Sequence, residues 1–177
     1  TNIQPDDTTR QNYALAMDIG TTTLYGQVVD LNSGQVLAQY GKFNGQISFG
    51  EDVISRIVFA EKPGGLDKLS EVVVASINAI IDKLIRRAKI DIDDIATITL
   101  AGNTTMTQLL LKIDPRYIRR SPYVPASELY PPLKAADLGI HLADHTLALV
   151  YPAISSYVGG DIVAGVMGSG MYRTDKL

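Results

Sequence analysis

The fold is decided by one stretch of the chain, Ala14-Leu-Ala-Met-Asp-Ile-Gly-Thr-Thr-Thr-Leu-Tyr-Gly-Gln-Val-Val-Asp30. The residues before Asp18 carry no charge, as in a buried strand, and the second half carries Tyr and Val residues that favour a strand. Between these halves, Gly20 allows a sharp turn because it has no Cβ atom. The stretch therefore predicts two paired strands, joined by a turn that bears a carboxylate and three threonines.

This turn has the chemical groups that a nucleotide needs. The backbone N–H groups and hydroxyls of Thr21, Thr22 and Thr23 can meet phosphate oxygens, and Asp18 can hold Mg²⁺ directly or through water. The alternative interpretation is an ordinary hairpin with an Asp and some threonines at its tip. The long string between two apolar strands favours the nucleotide, and it resembles the first phosphate loop of the actin, Hsp70 and sugar-kinase superfamily. The chain contains no Gly-Lys-Ser/Thr string of the P-loop type.

Composition places the chain among soluble globular proteins. Its 177 residues are 46% hydrophobic and 20% charged, which fits one domain with a substantial core. The net charge of −3 and the absence of a basic stripe predict no nucleic-acid partner. With no cysteine, this chain cannot itself form disulfides or hold an iron–sulfur cluster through thiolates. The absence of cysteine fits a cytoplasmic location. Since no apolar run has the length of a membrane span, we expect no membrane association.

The first third of the chain predicts a polar linker or tail over residues 1–12, followed by three antiparallel strands. The strands are expected at Tyr13–Met17, Leu24–Leu31 and Gln35–Phe43, with a turn of Asn, Ser and Gly before the third. A three-stranded meander with the phosphate loop in its first turn matches the ribonuclease-H-like fold of the same superfamily. The predicted fold class is therefore α/β, with a mixed sheet flanked by helices over residues 13–177.

A second unusual string follows, Asn44-Gly-Gln-Ile-Ser-Phe-Gly-Glu-Asp-Val-Ile-Ser-Arg56. Glu51 and Asp52 stand where a helix begins, and acidic residues there complement the helix dipole without any further function. The whole string, however, resembles a signature of the reductive activators of corrinoid proteins. That resemblance starts near Ala14 and runs almost to the end of the chain.

The resemblance implies a specific activity. Activators of this family carry an N-terminal [2Fe–2S] domain, a linker and an actin-like ATPase region, and they use ATP to return the cobalt of a corrinoid protein from Co(II) to Co(I). Asp-Ile-Gly-Thr occurs once in this chain, so residues 13–177 are expected to form the first lobe only. The second lobe and the iron–sulfur domain would lie outside this chain. The implied cofactors are ATP and Mg²⁺, and the implied partners are a corrinoid protein, the other domains of the parent protein and, as an open alternative, a second copy of the chain.

The middle of the chain predicts a long helix and then a strand that ends in polar residues. Apolar residues recur at helical spacing over Leu66–Lys89. The strand Ile95–Ala101 is followed by Gly102, Asn103 and Thr104, and the carboxyl ends of strands are where α/β sheets bind ligands. As an alternative, Asn103 or Thr104 simply caps the next helix. The string over residues 101–106 again resembles the corrinoid activators, so these three residues are expected to line the nucleotide cleft.

The last candidate site residue is Asp161. A strand is predicted at Thr146–Pro152, and Gly159 and Gly160 then open a helix rich in small residues. This Gly-Gly-Asp string resembles a sugar-kinase segment in which the Asp takes a proton or aligns the nucleophile. Asp161 would then orient a water molecule against the γ-phosphate, and with Asp18 it forms the predicted catalytic pair. The alternative is a carboxylate that only complements a helix N-terminus.

Two other functions remain open from the sequence. A small-molecule kinase of the same superfamily would share the phosphate loop and Asp161, but the string over residues 50–56 argues against it. A docking module for a corrinoid protein, with a vestigial nucleotide site, is the second. We also expect this chain alone to hydrolyse ATP slowly, because half of a two-lobed clamp leaves the phosphates in water.

Overall fold

The computed structural model describes residues 11–173. The predicted linker over residues 1–12 lies almost entirely outside the described residues. The strands are β1 Tyr13–Ile19, β2 Thr23–Asp30, β3 Val36–Phe43, β4 Ile95–Gly102, β5 Leu133–Lys134 and β6 Leu147–Val150. The helices are α1 Val53–Ala60, α2 Gly65–Ala88, α3 Thr104–Leu110 and α4 Gly160–Ser169.

The six strands form one mixed sheet in the order β3-β2-β1-β4-β6-β5. β1, β2 and β3 are an antiparallel meander, whereas β4 and β6 are added parallel to β1 through helical crossovers. This is the predicted ribonuclease-H-like arrangement, and the fold prediction is confirmed. Because β1, β4 and β6 run in the same direction, the turns that follow them meet at one edge of the sheet.

One face of the sheet packs against α2 and carries the main core. In β1 the side chains of Leu15, Met17 and Ile19 point to this face and are almost fully buried, as the two-residue period of a strand requires. The apolar stripe of α2 covers them, and burial of each large apolar side chain contributes about 1.5–3 kcal/mol. The buried members of this stripe are Leu69, Val73, Ile77, Ile80, Ile81 and Leu84.

The opposite face is more open and carries the candidate site residue Asp18. The alternate residues of β1 and β4, including Ala16, Asp18 and Thr99, line a shallow pocket on this side together with Ala164 of α4. Gly165 and Gly168 of α4 have no neighbouring atoms within 4 Å of where a Cβ atom would be. Both glycines are exposed, and Gly160 is the only residue of α4 that is buried, so this helix covers the sheet only loosely.

Two further features complete the fold. The end of α1 is tied to the irregular segment after α3, because Glu61 accepts hydrogen bonds from both Arg119 and Arg120 at 2.7–2.9 Å.

Among residues 11–173, no helix combines the length and apolar character needed to cross a bilayer.

Candidate functional site

The turn between β1 and β2 is tightly folded. A Cβ atom on Gly20 would lie 2.4 Å from the carbonyl oxygen of Thr23, so only glycine fits where the chain doubles back. Asp18 precedes this point on β1, and half-buried Thr21 and exposed Thr22 form the tip before β2 begins at Thr23. The turn thus presents two hydroxyls and a carboxylate at the end of the first strand.

The turn after β4 contacts this first turn directly. The parallel register pairs Asp18 with Ala101 and Ile19 with Gly102. The side-chain amide of Asn103 then donates a hydrogen bond to Oγ1 of Thr21 at 3.0 Å. Its carbonyl oxygen accepts the backbone N–H of Met106 at 3.0 Å, which makes Asn103 the N-cap of α3. Asn103 therefore both caps a helix and joins two of the predicted site turns.

The third turn, at the start of α4, packs against the second. A Cβ atom on Gly159 would lie 2.5 Å from both the Cα atom of Asn103 and the backbone nitrogen of Thr104. A Cβ atom on Gly160 would lie 2.7 Å from Cβ of Tyr151. These two glycines allow the N-terminus of α4 to approach the ends of β4 and β6 closely. The approach places Asp161, in the first turn of α4, beside the other two turns.

Asp18 and Asp161 interact electrostatically across this region. Partial burial against the neighbouring strands, followed by the negative charge of Asp161, raises the pKa of Asp18 above its ordinary value of 3.8. Asp18 nevertheless keeps contact with solvent, and it opens into a pocket of about 270 Å³ that also includes Tyr25, Gln27 and Tyr151. The negative charge of Asp161 thus lies close enough to affect the ionisation of Asp18.

Two of the predicted cleft residues are buried behind the others. Gly102 packs against the backbone of Ile19, where a Cβ atom would lie 2.9 Å from its carbonyl oxygen. Thr104 is fully buried, and its hydroxyl donates to the carbonyl oxygen of Ser155 at 2.6 Å. Both residues hold the three turns together, and their predicted contact with nucleotide stays a prediction.

The string Asn44–Arg56 builds a buried polar network to which sequence reasoning gave no role. Arg56 is fully buried, as is Gln46, and Asn44 is 1% exposed. Arg56 donates to the carbonyl oxygens of Thr21 at 2.6 Å and Gly50 at 2.9 Å, and to Oε1 of Gln46 at 3.1 Å. The sequence signal for this network was present as the family string itself, but nothing local showed that its polar residues point inward.

Asp52 has the local role that the helix-start interpretation gave it. Its carboxylate accepts the backbone N–H of Ser55 at 2.8 Å, and the Ser55 hydroxyl accepts the backbone N–H of Asp52 at 3.2 Å. This capping box begins α1. Glu51 is exposed. Asp52 therefore starts a helix, and the network belongs to Arg56.

Comparisons with known proteins give concordant results. A family profile described as the RACo middle region matches residues 13–174. The chain is 34% identical over 157 residues to the corrinoid activation enzyme RamQ of Eubacterium limosum, which covers 88% of this chain and 26% of that protein. A solved structure of a reductive activator for corrinoid, iron–sulfur protein is 44% identical, with a TM-score of 0.92 over 96% of this chain and 27% of its own.

One more solved structure, of an archaeal actin homologue in complex with ADP, matches 64% of this chain at 16% identity and a TM-score of 0.34. The chain spans about a quarter of the length of the two relatives that match it well, 26% of one and 27% of the other.

Proposed function

Because the chain belongs to the RACo middle region family, we propose that it is the first lobe of an ATP-dependent activator that reduces the cobalt of a corrinoid protein from Co(II) to Co(I). The observation that carries the proposal is the hydrogen bond from Asn103 to Thr21. It joins the predicted phosphate loop to a second polar turn, at the sheet edge where Asp161 also lies. A single nucleotide can contact all three turns there.

The residues at this edge fit ATP with Mg²⁺. Asp18 offers an oxygen ligand, and a divalent cation there would relieve the repulsion between its carboxylate and that of Asp161. Mg²⁺ is usually held by one or two carboxylates together with substrate phosphates and water. Among residues 11–173 there is no cluster of three or more acidic, His or Cys side chains that could hold a metal alone. The donor set therefore fits a cation that arrives with the nucleotide.

Each predicted residue has a role in this proposal. Asp18 holds Mg²⁺, directly or through water, and the N–H groups and hydroxyls of Thr21, Thr22 and Thr23 bind phosphate oxygens. Since Asn103 donates to Oγ1 of Thr21, the proton of that hydroxyl stays available for a phosphate oxygen. Asp161 orients the attacking water. Cleft-lining residues in this proposal are Gly20, Gly102, Asn103 and Thr104.

The electrons in this proposal come from outside the chain. The sequence has no cysteine, so the donor is a [2Fe–2S] cluster carried by another domain of the parent protein. Reduction of Co(II) is uphill for ordinary donors, and a nucleotide can bias it only through different affinities for two conformations. The lobe therefore supplies half of a clamp whose closure on ATP changes how the parent protein holds the corrinoid protein.

The experiment that tests this proposal uses the full-length protein that contains this chain, a Co(II) corrinoid protein and a reductant. With Mg-ATP, the absorption spectrum should convert from Co(II) to Co(I), whereas Asp18→Ala should abolish the ATP-dependent part of the conversion. Val36→Thr, on the exposed edge strand β3, is the matched control and should convert normally. Conversion that is equally fast without ATP, or with Asp18→Ala, contradicts the proposal.

A further inference from the structure

The carbonyl groups of the turn between β1 and β2 are held by donors on one side. Three consecutive carbonyl oxygens accept hydrogen bonds from the network of Asn44 and Arg56. Gly20 accepts the side-chain amide of Asn44 at 2.9 Å, Thr21 accepts Nη2 of Arg56 at 2.6 Å, and Thr22 accepts the backbone N–H of Asn44 at 2.8 Å. The backbone of the turn is thus fixed from behind, residue by residue.

This arrangement also fixes where the N–H groups of the turn point. In a planar trans peptide the N–H of one residue points opposite to the carbonyl of the residue before it. When the carbonyls of Gly20, Thr21 and Thr22 face Asn44 and Arg56, the N–H groups that follow them face the other way. Consecutive N–H groups that point the same way form a concavity that binds anions.

Arg56 is well placed to hold this geometry because its own guanidinium is fixed. Besides Thr21, it donates to Gly50, to Gln46 and to the sulfur of Met106 at 3.1 Å. Gln46 is in turn anchored, since its side-chain amide donates to the carbonyl oxygen of Leu69 in α2 at 2.9 Å. The guanidinium therefore connects the turn to α1, α2 and α3.

The charge of Arg56 has no ion-pair partner among residues 11–173. Burial lowers the pKa of this guanidinium, while the charge of Asp52 acts in the opposite direction. A guanidinium remains protonated at physiological pH, so a full positive charge sits behind the turn. A buried cation with only neutral acceptors is costly to the fold, and that cost argues for a role beyond packing.

We propose that Arg56 is a positioning residue, which presets the N–H groups of residues 21–23 to bind the phosphates of a nucleotide and adds a positive potential behind them. This inference rests on the proposed function, since it assumes that the turn binds a nucleoside triphosphate. It goes beyond that function because Arg56 touches no phosphate. It acts on the phosphates only indirectly, through its hydrogen bond to the carbonyl of Thr21 and through its positive charge.

The test compares Arg56→Met with Arg87→Met in the full-length protein. Arg87 is a matched control, because it also donates to a backbone carbonyl, that of Gln39 at 2.8 Å, but lies on α2 beside β3. Binding is measured by titration with ATPγS and Mg²⁺, and backbone order by hydrogen–deuterium exchange. Arg56→Met should weaken binding about tenfold or more and speed exchange in residues 20–23, with exchange in the middle of α2 unchanged. Arg87→Met should bind like the unsubstituted protein.

Two further variants keep the test decisive if Arg56→Met does not fold. Arg56→Lys keeps the charge but cannot reach all the acceptors of the guanidinium fork, and Asn44→Ala releases the carbonyl of Gly20 while leaving Arg56 intact. Both should weaken binding of ATPγS. A folded variant of either residue that binds within about twofold of the unsubstituted protein, with unchanged exchange in the turn, overturns the inference.

The outcome also separates this inference from the proposed function. If the unsubstituted protein does not bind ATPγS, the proposed function fails, while the exchange of residues 20–23 still tests whether Arg56 orders the turn. If the unsubstituted protein binds and Arg56→Met binds equally well, only the role of Arg56 is wrong.

Discussion

Gly159 is the position at which a single methyl group should separate the site turns. The backbone there is extended, with φ −90° and ψ −175°, so alanine is conformationally allowed and any cost must come from contacts. The added Cβ atom would lie 2.5 Å from Cα of Asn103 and from the backbone nitrogen of Thr104, about 0.9 Å short of the 3.4 Å of ordinary contact. Since both neighbours are backbone atoms, no side chain can rotate away, and either α4 or the Asn103 turn must move.

The size of the effect follows from that displacement. Overpacking of this kind costs about 1–3 kcal/mol, and each kcal/mol lowers the melting temperature of a domain of this size by roughly 2–4 °C. A shift of about 1 Å between catalytic groups also reduces turnover by about 100-fold. Gly159→Ala should therefore lower both the melting temperature and the ATP-dependent activity.

Gly165→Ala is the control, because it makes the same substitution on the same helix. A Cβ atom at Gly165 meets nothing within 4 Å, and alanine is favoured over glycine in a helix interior by about 0.5–1 kcal/mol. In thermal melts of the 177-residue chain the two variants should shift in opposite directions. If Gly159→Ala melts with or above the unsubstituted chain and its parent protein keeps full activity, then the close contact of α4 with the Asn103 turn does not exist in solution.

Three other predictions concern the site residues. The pKa of Asp18 in the folded protein is raised above its ordinary value of 3.8. Protonation of Asp18 therefore stabilises the fold fully below pH 3.8, and this stabilisation is lost as the pH rises through the folded-state pKa. Asp18→Asn should therefore melt higher than the unsubstituted protein at neutral pH without ligand, with a difference that vanishes in acid; a lower melting temperature at neutral pH would contradict this. Asn103→Ala should lose about 1 kcal/mol of helix capping and weaken nucleotide binding. Asn103→Asp keeps the helix cap but loses the hydrogen-bond donor to Thr21. If Asn103→Asp binds nucleotide as tightly as the unsubstituted protein in a titration, the role of that hydrogen bond is refuted. The 177-residue chain alone should turn over ATP negligibly in a phosphate-release assay, and robust release that Asp18→Ala abolishes would show that one lobe suffices.

The fold could be predicted because its main elements are periodic in the sequence. The alternation of Leu15 and Met17 with Ala14 and Ala16 defines a strand with two different faces, and the apolar stripe of α2 has the helical period. The strands and α2 were expected within about two residues of where the structure has them. β5 was missed because its two residues pair with β6 only through the tertiary structure, and no local sequence pattern predicts such a short strand.

The meeting of the three turns could be predicted from the sequence, but the contacts between them could not. Parallel strands end at the same edge of a sheet, so the sequence already brought Asp18, Asn103 and Asp161 to one place. The hydrogen bond between Asn103 and Thr21 depends on side-chain geometry that no sequence pattern specifies. Arg56 was missed for a stronger reason, since an arginine on a short amphipathic helix is ordinarily expected to face solvent. Its acceptors come from the turn after β1, the loop before α1 and the helix α3, which meet only in the folded protein.

The charges on the two sides of the β1–β2 turn have opposite sign. Asp18 lies in the open pocket with Asp161 nearby, whereas the buried cation of Arg56 lies behind the backbone. A triphosphate that approached from the pocket side would meet the carboxylate of Asp18, with that of Asp161 nearby, and like charges repel strongly where water is partly excluded. In the proposed function, the positive potential behind the turn and the N–H groups of residues 21–23 act on the phosphates only once that repulsion is cancelled. In the proposed function a divalent cation cancels this repulsion, so ATP must enter as its magnesium complex. The carboxylates that repel free ATP therefore select Mg-ATP over free ATP.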